Sequence, residues 1–199
     1  MTTAFTKPGL YREAFEKDSC GFGLIANLDD KPSHWVVETA VGALKRLTHR
    51  GAVAADGKTG DGCGLLLKTP ERFFREVAGE LDFELGEQFA VGTVFLNQHK
   101  TLRDRARNHL NDELEREGLI VAGWRLVPVE IEVCGEEALR TLPIIQQIFV
   151  SAPEGMSGAD FNRHLFIARR RTENRIADSD PSFYVASLSA DTVSYKGMV

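Results

Sequence analysis

The arrangement of apolar and polar residues along the 199-residue chain predicts alternating strands and helices. Short apolar runs between turn residues are typical of buried strands, and apolar residues three or four positions apart are typical of helices with one buried face. Strand-like runs lie at 24–26, 63–68, 88–96, 120–129, 142–150, 183–188 and 192–195. Helical spacing lies at 70–81, 101–117 and 161–176, and the last two strand-like runs are close enough to form a hairpin. We therefore predict an α+β domain with sheet at its centre and helices packed outside.

A further helix is predicted immediately after a polar turn at 27–31. Ser33 is a suitable N-cap, because its hydroxyl can accept a hydrogen bond from a free backbone N–H of the first turn. The predicted end of this helix is Gly51. Its apolar face consists of Val37, Ala40, Val41, Leu44 and Leu47.

Composition is typical of one domain of a soluble protein, with 43% hydrophobic and 27% charged residues. The net charge of −5 gives no reason to expect a nucleic-acid partner. No apolar run approaches the ~18 residues that a membrane span requires, so no membrane association is expected. The three cysteines are odd in number and lack CxxC spacing, which favours a reducing cytoplasm over a disulfide framework.

Cys20 is the first candidate for chemistry, because two glycines, Gly21 and Gly23, flank Phe22 just after it and an apolar run follows. Glycine lets the backbone bend and lets other groups approach, so the thiol would lie at the end of a buried strand beside open backbone. A free cysteine is more often a small buried hydrophobe than a nucleophile. On the residues alone, Cys20 can be either a nucleophile or a buried apolar residue. Cys63 and Cys134 are predicted to be packed residues.

The loop at 56–62 contains Gly-Lys-Thr, which also occurs in phosphate-binding loops. The P-loop pattern needs a glycine five residues before Gly57, where Ala52 stands, and it must come after a strand. We predict instead a glycine-rich turn that leads into the strand 63–68. Its small residues would let this strand approach the one that begins at Cys20.

Four stretches of the chain resemble one known family. They are Cys-Gly-Phe-Gly-Leu-Ile-Ala at 20–26, Pro-Ser-His at 32–34, Thr-His-Arg-Gly-Ala at 48–52 and Ala-Asp-Gly-Lys-Thr-Gly-Asp-Gly-Cys-Gly-Leu-Leu-Leu at 55–67. With further similarity as far as 183–185, they resemble the N-terminal part of the glutaminase domain of the bacterial glutamate synthase large chain. That domain is a class II, N-terminal-nucleophile glutamine amidotransferase. The resemblance implies part of a four-layer αββα sandwich.

The resemblance also implies roles for particular residues. Cys20 would be the nucleophile, residues 1–19 a propeptide, and 20–199 a truncated N-terminal portion of a type 2 glutamine amidotransferase domain. Arg50 matches the arginine that lies in the family's glutaminase pocket, whereas His34 and His49 are taken as structural. On the residues alone, a disordered tail is the alternative for 1–19, and Arg50 is equally a basic residue that complements a helix dipole.

Two strings that complete the family's site do not occur in the chain: His-x-Arg-Phe, which binds the substrate carboxylate, and His-Asn-Gly, which forms the oxyanion hole. We therefore expect an N-terminal piece of a longer large chain, inactive by itself. The resemblance implies L-glutamine as substrate and no cofactor in this piece. It implies FMN and an iron–sulfur cluster in the remainder of the large chain, and a small NADPH-oxidising subunit as partner.

Two functions from different classes are consistent with these residues. The first is the glutaminase half of a cytoplasmic glutamate synthase, with Cys20 attacking the glutamine amide. The second is a catalytically silent αβ module that folds or binds a partner, with Cys20 buried. A free N-terminal Cys20 in the mature protein would favour the first, and an intact 1–19 segment would favour the second.

Overall fold

Two antiparallel sheets organise the part of the chain that the computed structural model describes, residues 21–47, 54–60 and 62–198. The strands are β1 (Gly62–Lys68), β2 (Phe89–Leu96), β3 (Ile120–Leu126), β4 (Ile144–Ser151), β5 (Tyr184–Ser189) and β6 (Thr192–Met198). The helices are α1 (His34–Arg46), α2 (Glu71–Glu80), α3 (Lys100–Arg116), α4 (Glu136–Thr141) and α5 (Gly158–Ile176), with a short 3-10 helix at Ile131–Val133. The predicted α+β class is confirmed.

The larger sheet has the strand order β3-β4-β2-β5, so β2 lies between two antiparallel neighbours. Its sequence, Phe-Ala-Val-Gly-Thr-Val-Phe-Leu, is almost continuously apolar because both faces of the strand are covered. Gly92 lies where neighbouring side chains leave no room: a Cβ there would be 2.8 Å from both Ile148 Cγ2 and Leu188 Cδ1. The prediction of a central strand at 88–96 is confirmed.

Helices α3 and α5 cover one face of this sheet. The apolar face predicted for α5 is confirmed, since Phe161, Leu165, Ala168 and Ile176 are all buried. Helix α5 begins after Ser157, whose hydroxyl oxygen accepts a hydrogen bond from the backbone N–H of residue 160 at 3.1 Å. The first hydrophobic cluster includes Ala90, Val94, Leu96, Leu110, Leu114, Ile148, Val150, Phe161 and Leu165.

The opposite face of the larger sheet carries a second cluster that includes residues of α2 and β6. It consists of Phe74, Val77, Phe89, Val91, Phe149 and Val193. The rings of Phe74 and Phe149 meet edge to face with their centroids 5.7 Å apart. Because Val193 lies in β6, this cluster packs the smaller sheet against the larger one.

The predicted hairpin of the last two strands is wrong. β5 pairs with β2, whereas β6 crosses to the other sheet and pairs with β1 over the full seven residues of each strand. The contact left between them includes the bond from the Ser194 N–H to Ser187 Oγ at 3.0 Å. Short chain separation favours a hairpin, but β1 offers β6 a complete ladder of hydrogen bonds.

The strand predicted at 24–26 is also wrong. Residues 21–27 have no regular structure, and the side chains of Phe22 and Leu24 are 95% and 90% exposed. A strand needs a neighbour to satisfy its backbone groups, and no described strand pairs with residues 24–26. An apolar run predicts burial only where such a neighbour exists.

Helix α1 begins after Ser33, as predicted, but the Ser33 side chain makes no capping hydrogen bond. It ends at Arg46, earlier than the predicted end at Gly51, and the Leu47 N–H bonds to the Leu44 carbonyl at 2.9 Å. None of its residues is fully buried. The predicted apolar face is therefore only partly covered.

The arginine run of α5 is engaged in ion pairs. Arg169 and Arg170 contact Glu173 on the same helix at 2.8 and 2.6 Å, and Arg171 contacts Glu117 just beyond α3. The Glu117 carboxylate also lies 2.7 Å from His164 Nδ1, within hydrogen-bond distance. The run thus lies on a charged helix face, where arginine and glutamate side chains three or four positions apart can pair.

Candidate functional site

The two residues that the sequence singles out, Cys20 and Arg50, lie outside the described residues. The nearest described residues are Gly21, which follows Cys20 directly, and Leu47, which stands three positions before Arg50. Gly21 follows Cys20, and a Cβ placed on Gly21 would lie 3.9 Å from Leu47 Cδ2. Leu47 is the C-cap of α1 and stands three residues before Arg50. The fold therefore brings the chain next to Cys20 against the chain that leads to Arg50.

Helix α1 ends before Arg50 is reached in the chain. The last turn of that helix already carries two basic residues, Lys45 and Arg46. The attraction between a cation and the helix dipole falls off within the last turn. Arg50 comes four residues after Arg46 in sequence and lies outside the described residues.

The polar turn at 27–31 is linked to the end of β1 by an ion pair. Within the turn, the Asn27 side-chain amide donates to the Lys31 carbonyl at 2.8 Å, and Asp30 has a positive φ of 53°. Lys68 at the end of β1 reaches across to Asp30, with Nζ 2.7 Å from Oδ2. Both side chains are exposed, so this ion pair orients the turn more than it stabilises the fold.

The glycine-rich loop closes on itself around Asp56. The backbone N–H groups of Lys58 and Thr59 donate to Asp56 Oδ1 at 2.9 and 2.7 Å, and the Thr59 hydroxyl donates to Oδ2. The Ala54 N–H donates to the Thr59 carbonyl at 2.7 Å. The bond from the Thr59 hydroxyl, followed by the two backbone bonds, holds the pKa of Asp56 well below its ordinary value.

The closed loop rests on the start of α4. The N–H groups of Glu137 and Ala138 point to Asp56 Oδ2 and Thr59 Oγ1, each at 3.4 Å. Gly135 makes this approach possible, because a Cβ there would lie 2.7 Å from the Thr59 nitrogen and still closer to the two side-chain oxygens. The Asp56-Gly57 pair predicts the turn, but nothing in the sequence indicates that the turn packs against Gly135.

A phosphate-binding role for this loop is excluded by the element that comes after it. The loop continues into strand β1, whereas a P-loop opens a helix whose N-terminus faces the phosphate. The backbone N–H groups of Lys58 and Thr59 already donate to the Asp56 carboxylate. They are therefore occupied by an anion that the loop itself supplies.

The two described cysteines do not have the surroundings of an activated thiol. Cys63 is half-buried in β1, and burial raises its pKa above the ordinary value. Cys134 lies near the start of α4, with its sulfur 3.7 Å from the Glu130 carbonyl. A thiol with a raised pKa is less ionised at neutral pH and is a poorer nucleophile.

His34, which the sequence assigns a structural role, is exposed, and its Nδ1 lies 3.4 Å from Glu38 Oε1.

Two other kinds of site are absent from the described residues. In those residues no group of three or more His, Cys, Asp and Glu side chains is placed to hold a metal ion. Among the helices of the same residues, none has the length and apolar character needed to cross a membrane.

Comparison with known proteins gives consistent findings. The family model of class-II glutamine amidotransferases matches residues 20–199. The glutamate synthase (NADPH) large chain of Bacillus subtilis is 38% identical over 192 residues, which are 96% of this chain and 13% of the relative. That of Azospirillum brasilense is 39% identical over 198 residues, 98% of this chain and 13% of the relative. The ferredoxin-dependent glutamate synthase 2 of Synechocystis is 40% identical over 186 residues, which are 92% of this chain and 12% of the relative. The chain therefore spans 12–13% of the length of these relatives.

Proposed function

Because the chain belongs to the class-II glutamine amidotransferases, we propose that it carries the glutaminase site of a glutamate synthase and hydrolyses L-glutamine to glutamate and ammonia. One observation carries the proposal: the family match begins at Cys20, the residue that would be the N-terminal nucleophile. Relatives named glutamate synthase align over more than nine-tenths of the chain, at 92–98%. A catalytically silent module is correspondingly disfavoured.

The proposed mechanism begins with cleavage of the Ser19–Cys20 bond. Inside a chain the nitrogen of Cys20 is an amide, which cannot take up a proton. Cleavage converts it to an α-amine with an ordinary pKa of about 7.7–8.0, suited to act as a general base near neutral pH. Nucleophile and base then belong to one residue, and 1–19 is the propeptide of a domain that begins at Cys20.

The Cys20 amine takes the thiol proton, and the sulfur attacks the side-chain carbonyl carbon of glutamine. The C–N bond breaks as the leaving nitrogen receives that proton, so ammonia departs and a γ-glutamyl thioester remains. Water then attacks the thioester and gives its proton to the amine. The C–S bond breaks, and glutamate and the free thiol are released.

Arg50 is proposed to contact the bound glutamine. Its guanidinium is always charged at physiological pH and offers planar donors that suit a carboxylate or a carbonyl oxygen. The closeness of Gly21 to Leu47 supports this role, because Gly21 follows Cys20 directly and Leu47 stands three residues before Arg50.

The finer architecture and the larger protein are part of the same proposal. The proposed architecture is the αββα order of N-terminal-nucleophile hydrolases, and it is supported by α3 and α5 outside the larger sheet and by α1 beside β1 of the smaller one. We assign FMN, an iron–sulfur cluster and a small NADPH-oxidising subunit to the remainder of a glutamate synthase, to which the ammonia passes. Two of the relatives are named NADPH large chains.

Replacing Arg50 tests the proposed binding role. In the full-length protein, Arg50→Ala should raise the KM for glutamine about tenfold or more, because a charged hydrogen-bond partner of the substrate is lost. Lys45→Ala is the matched control, since Lys45 is an exposed basic residue in the last turn of α1. The measurement is glutamate release at varied glutamine concentration. Unchanged kinetics in Arg50→Ala, with only a small loss of thermal stability, would mean that Arg50 serves the fold and not the substrate.

A further inference from the structure

A row of polar side chains crosses the larger sheet on the face that packs against the smaller sheet. Each of its four members lies directly opposite the next in the strand register: Arg125 on β3, Gln147 on β4, Thr93 on β2 and Ser187 on β5. Side chains two positions apart along a strand share a face, so Thr93 shares its face with Val91 of the second hydrophobic cluster. The polar row therefore lies beside the apolar cluster that joins the two sheets.

The middle of the polar row is buried and only partly hydrogen-bonded. Thr93 and Gln147 are 1% and 0% exposed. Arg125 Nε donates to Gln147 Oε1 at 2.7 Å. The other atom of that amide, Gln147 Nε2, and the hydroxyl oxygen of Thr93 are both buried and have no hydrogen-bond partner among the described residues. Buried polar atoms in folded proteins nearly always bond to a protein group or to ordered water, so these two atoms indicate a further partner.

The pairing of β2 with β5 is irregular at the same position. Thr93 lies opposite Ser187, but Val94 lies opposite Val185, so Ala186 is an additional residue in β5. Such a bulge disrupts the ladder of hydrogen bonds locally and bends the strand that carries it. The regular sheet is therefore interrupted next to the two unpartnered atoms.

Water has the chemistry that these two atoms need. Residues directly opposite each other on antiparallel strands have Cβ atoms about 4.5–5.5 Å apart, so one small molecule can contact both Thr93 and Gln147. It must accept a hydrogen bond from Gln147 Nε2, and it can donate to the Thr93 hydroxyl or accept from it. Val91 and Phe95 lie on either side of Thr93 along the same face of β2. An ion would lose its hydration beside these apolar residues, whereas a neutral water molecule carries no such cost.

We propose that the polar row binds one internal water molecule, which bridges Thr93 Oγ1 and Gln147 Nε2 and so joins β2 to β4 through their side chains. The row is then hydrogen-bonded from Arg125 on the edge strand β3 as far as Thr93 in the middle of the sheet. Thr93 and Gln147 are binding residues of this site and not packing residues. The proposal is independent of the glutaminase function, because it is built from described residues of the sheets alone.

A crystal structure of the full-length protein, at a resolution that shows ordered water, tests the site directly. We expect a single water peak within about 3.2 Å of both Thr93 Oγ1 and Gln147 Nε2. Three results would overturn the proposal: no peak at this position, a peak that refines as an ion, or a direct bond from either atom to another protein group.

The sign of one substitution is a second test. Thr93→Val keeps the shape of the side chain and removes the hydroxyl, so it removes the proposed bridge. Amide hydrogen exchange in β2 and β4 of the full-length protein should then become about tenfold faster, because a bridge between the strands is lost. If the hydroxyl has no partner, the same substitution removes an unsatisfied polar group. Unchanged or slower exchange in Thr93→Val would therefore overturn the bridge.

Discussion

Replacing Cys20 with alanine should lower glutamine hydrolysis by about 10⁴-fold or more in the full-length protein. Removal of the thiol leaves no group that can form the thioester, and losing the nucleophile of a covalent mechanism removes nearly all of its catalysis. The measurement is glutamate release at saturating glutamine, with binding of glutamine checked separately. Binding should persist, because the side chains that hold the substrate are unchanged.

Cys63→Ala is the matched control for this prediction. Cys63 is half-buried in β1, where burial raises its pKa, so its substitution costs packing and not chemistry. We expect the variant to keep activity within a few-fold of the wild type. Activity that survives Cys20→Ala and disappears in Cys63→Ala would show that the nucleophile is Cys63 and not Cys20.

Replacing Phe149 with alanine should lower the free energy of unfolding by about 3–5 kcal/mol. Phe149 is fully buried in β4, and its ring lies 5.7 Å from the ring of Phe74 and 5.1 Å from that of Phe83. Its removal opens a cavity in the cluster that joins the two sheets. The measurement is chemical unfolding followed by circular dichroism.

Phe166→Ala is the control for the Phe149 variant, because the Phe166 side chain is 62% exposed on α5. Its effect on the free energy of unfolding should be within about 0.5 kcal/mol, as for most surface substitutions. Equal destabilisation by the two substitutions would mean that the second cluster does not hold the sheets together.

Local patterns were sufficient to predict the elements of the larger sheet and its helices. β2 is bounded by polar residues and buried on both faces, so its apolar run carries the signal of a central strand. α5 presents Phe161, Leu165 and Ala168 at helical spacing, and the sheet buries that face. In both elements the residues that set the pattern are the residues that pack.

Partner choice between distant segments could not be predicted in the same way. β6 comes soon after β5 in sequence but pairs with β1, which lies more than a hundred residues earlier. Residues 24–26 have the composition of a strand, but no described strand pairs with them. Both outcomes depend on contacts between segments far apart in sequence, which a local window does not contain.

In the candidate site, too, some features could be identified from the sequence and others only from the fold. Cys20 and Arg50 are identified by strings that resemble a family, and they remain proposals because they lie outside the described residues. The Asp56 turn packs against residues far away in sequence: the Glu137 N–H that donates to Asp56 is 81 positions later. The sequence shows an Asp-Gly turn and a lone glycine, and only the fold brings them together.

The conversion of Cys20 to an N-terminal nucleophile for glutamine can be tested by mass spectrometry and N-terminal sequencing of the mature protein from its own host. Both are done before and after reaction with an electrophilic glutamine analogue. We predict a chain that begins Cys-Gly-Phe-Gly and carries one adduct on the Cys20 sulfur, with loss of glutamine hydrolysis. A mature chain that retains residues 1–19 and still hydrolyses glutamine, or an adduct on another residue, would contradict this role of Cys20.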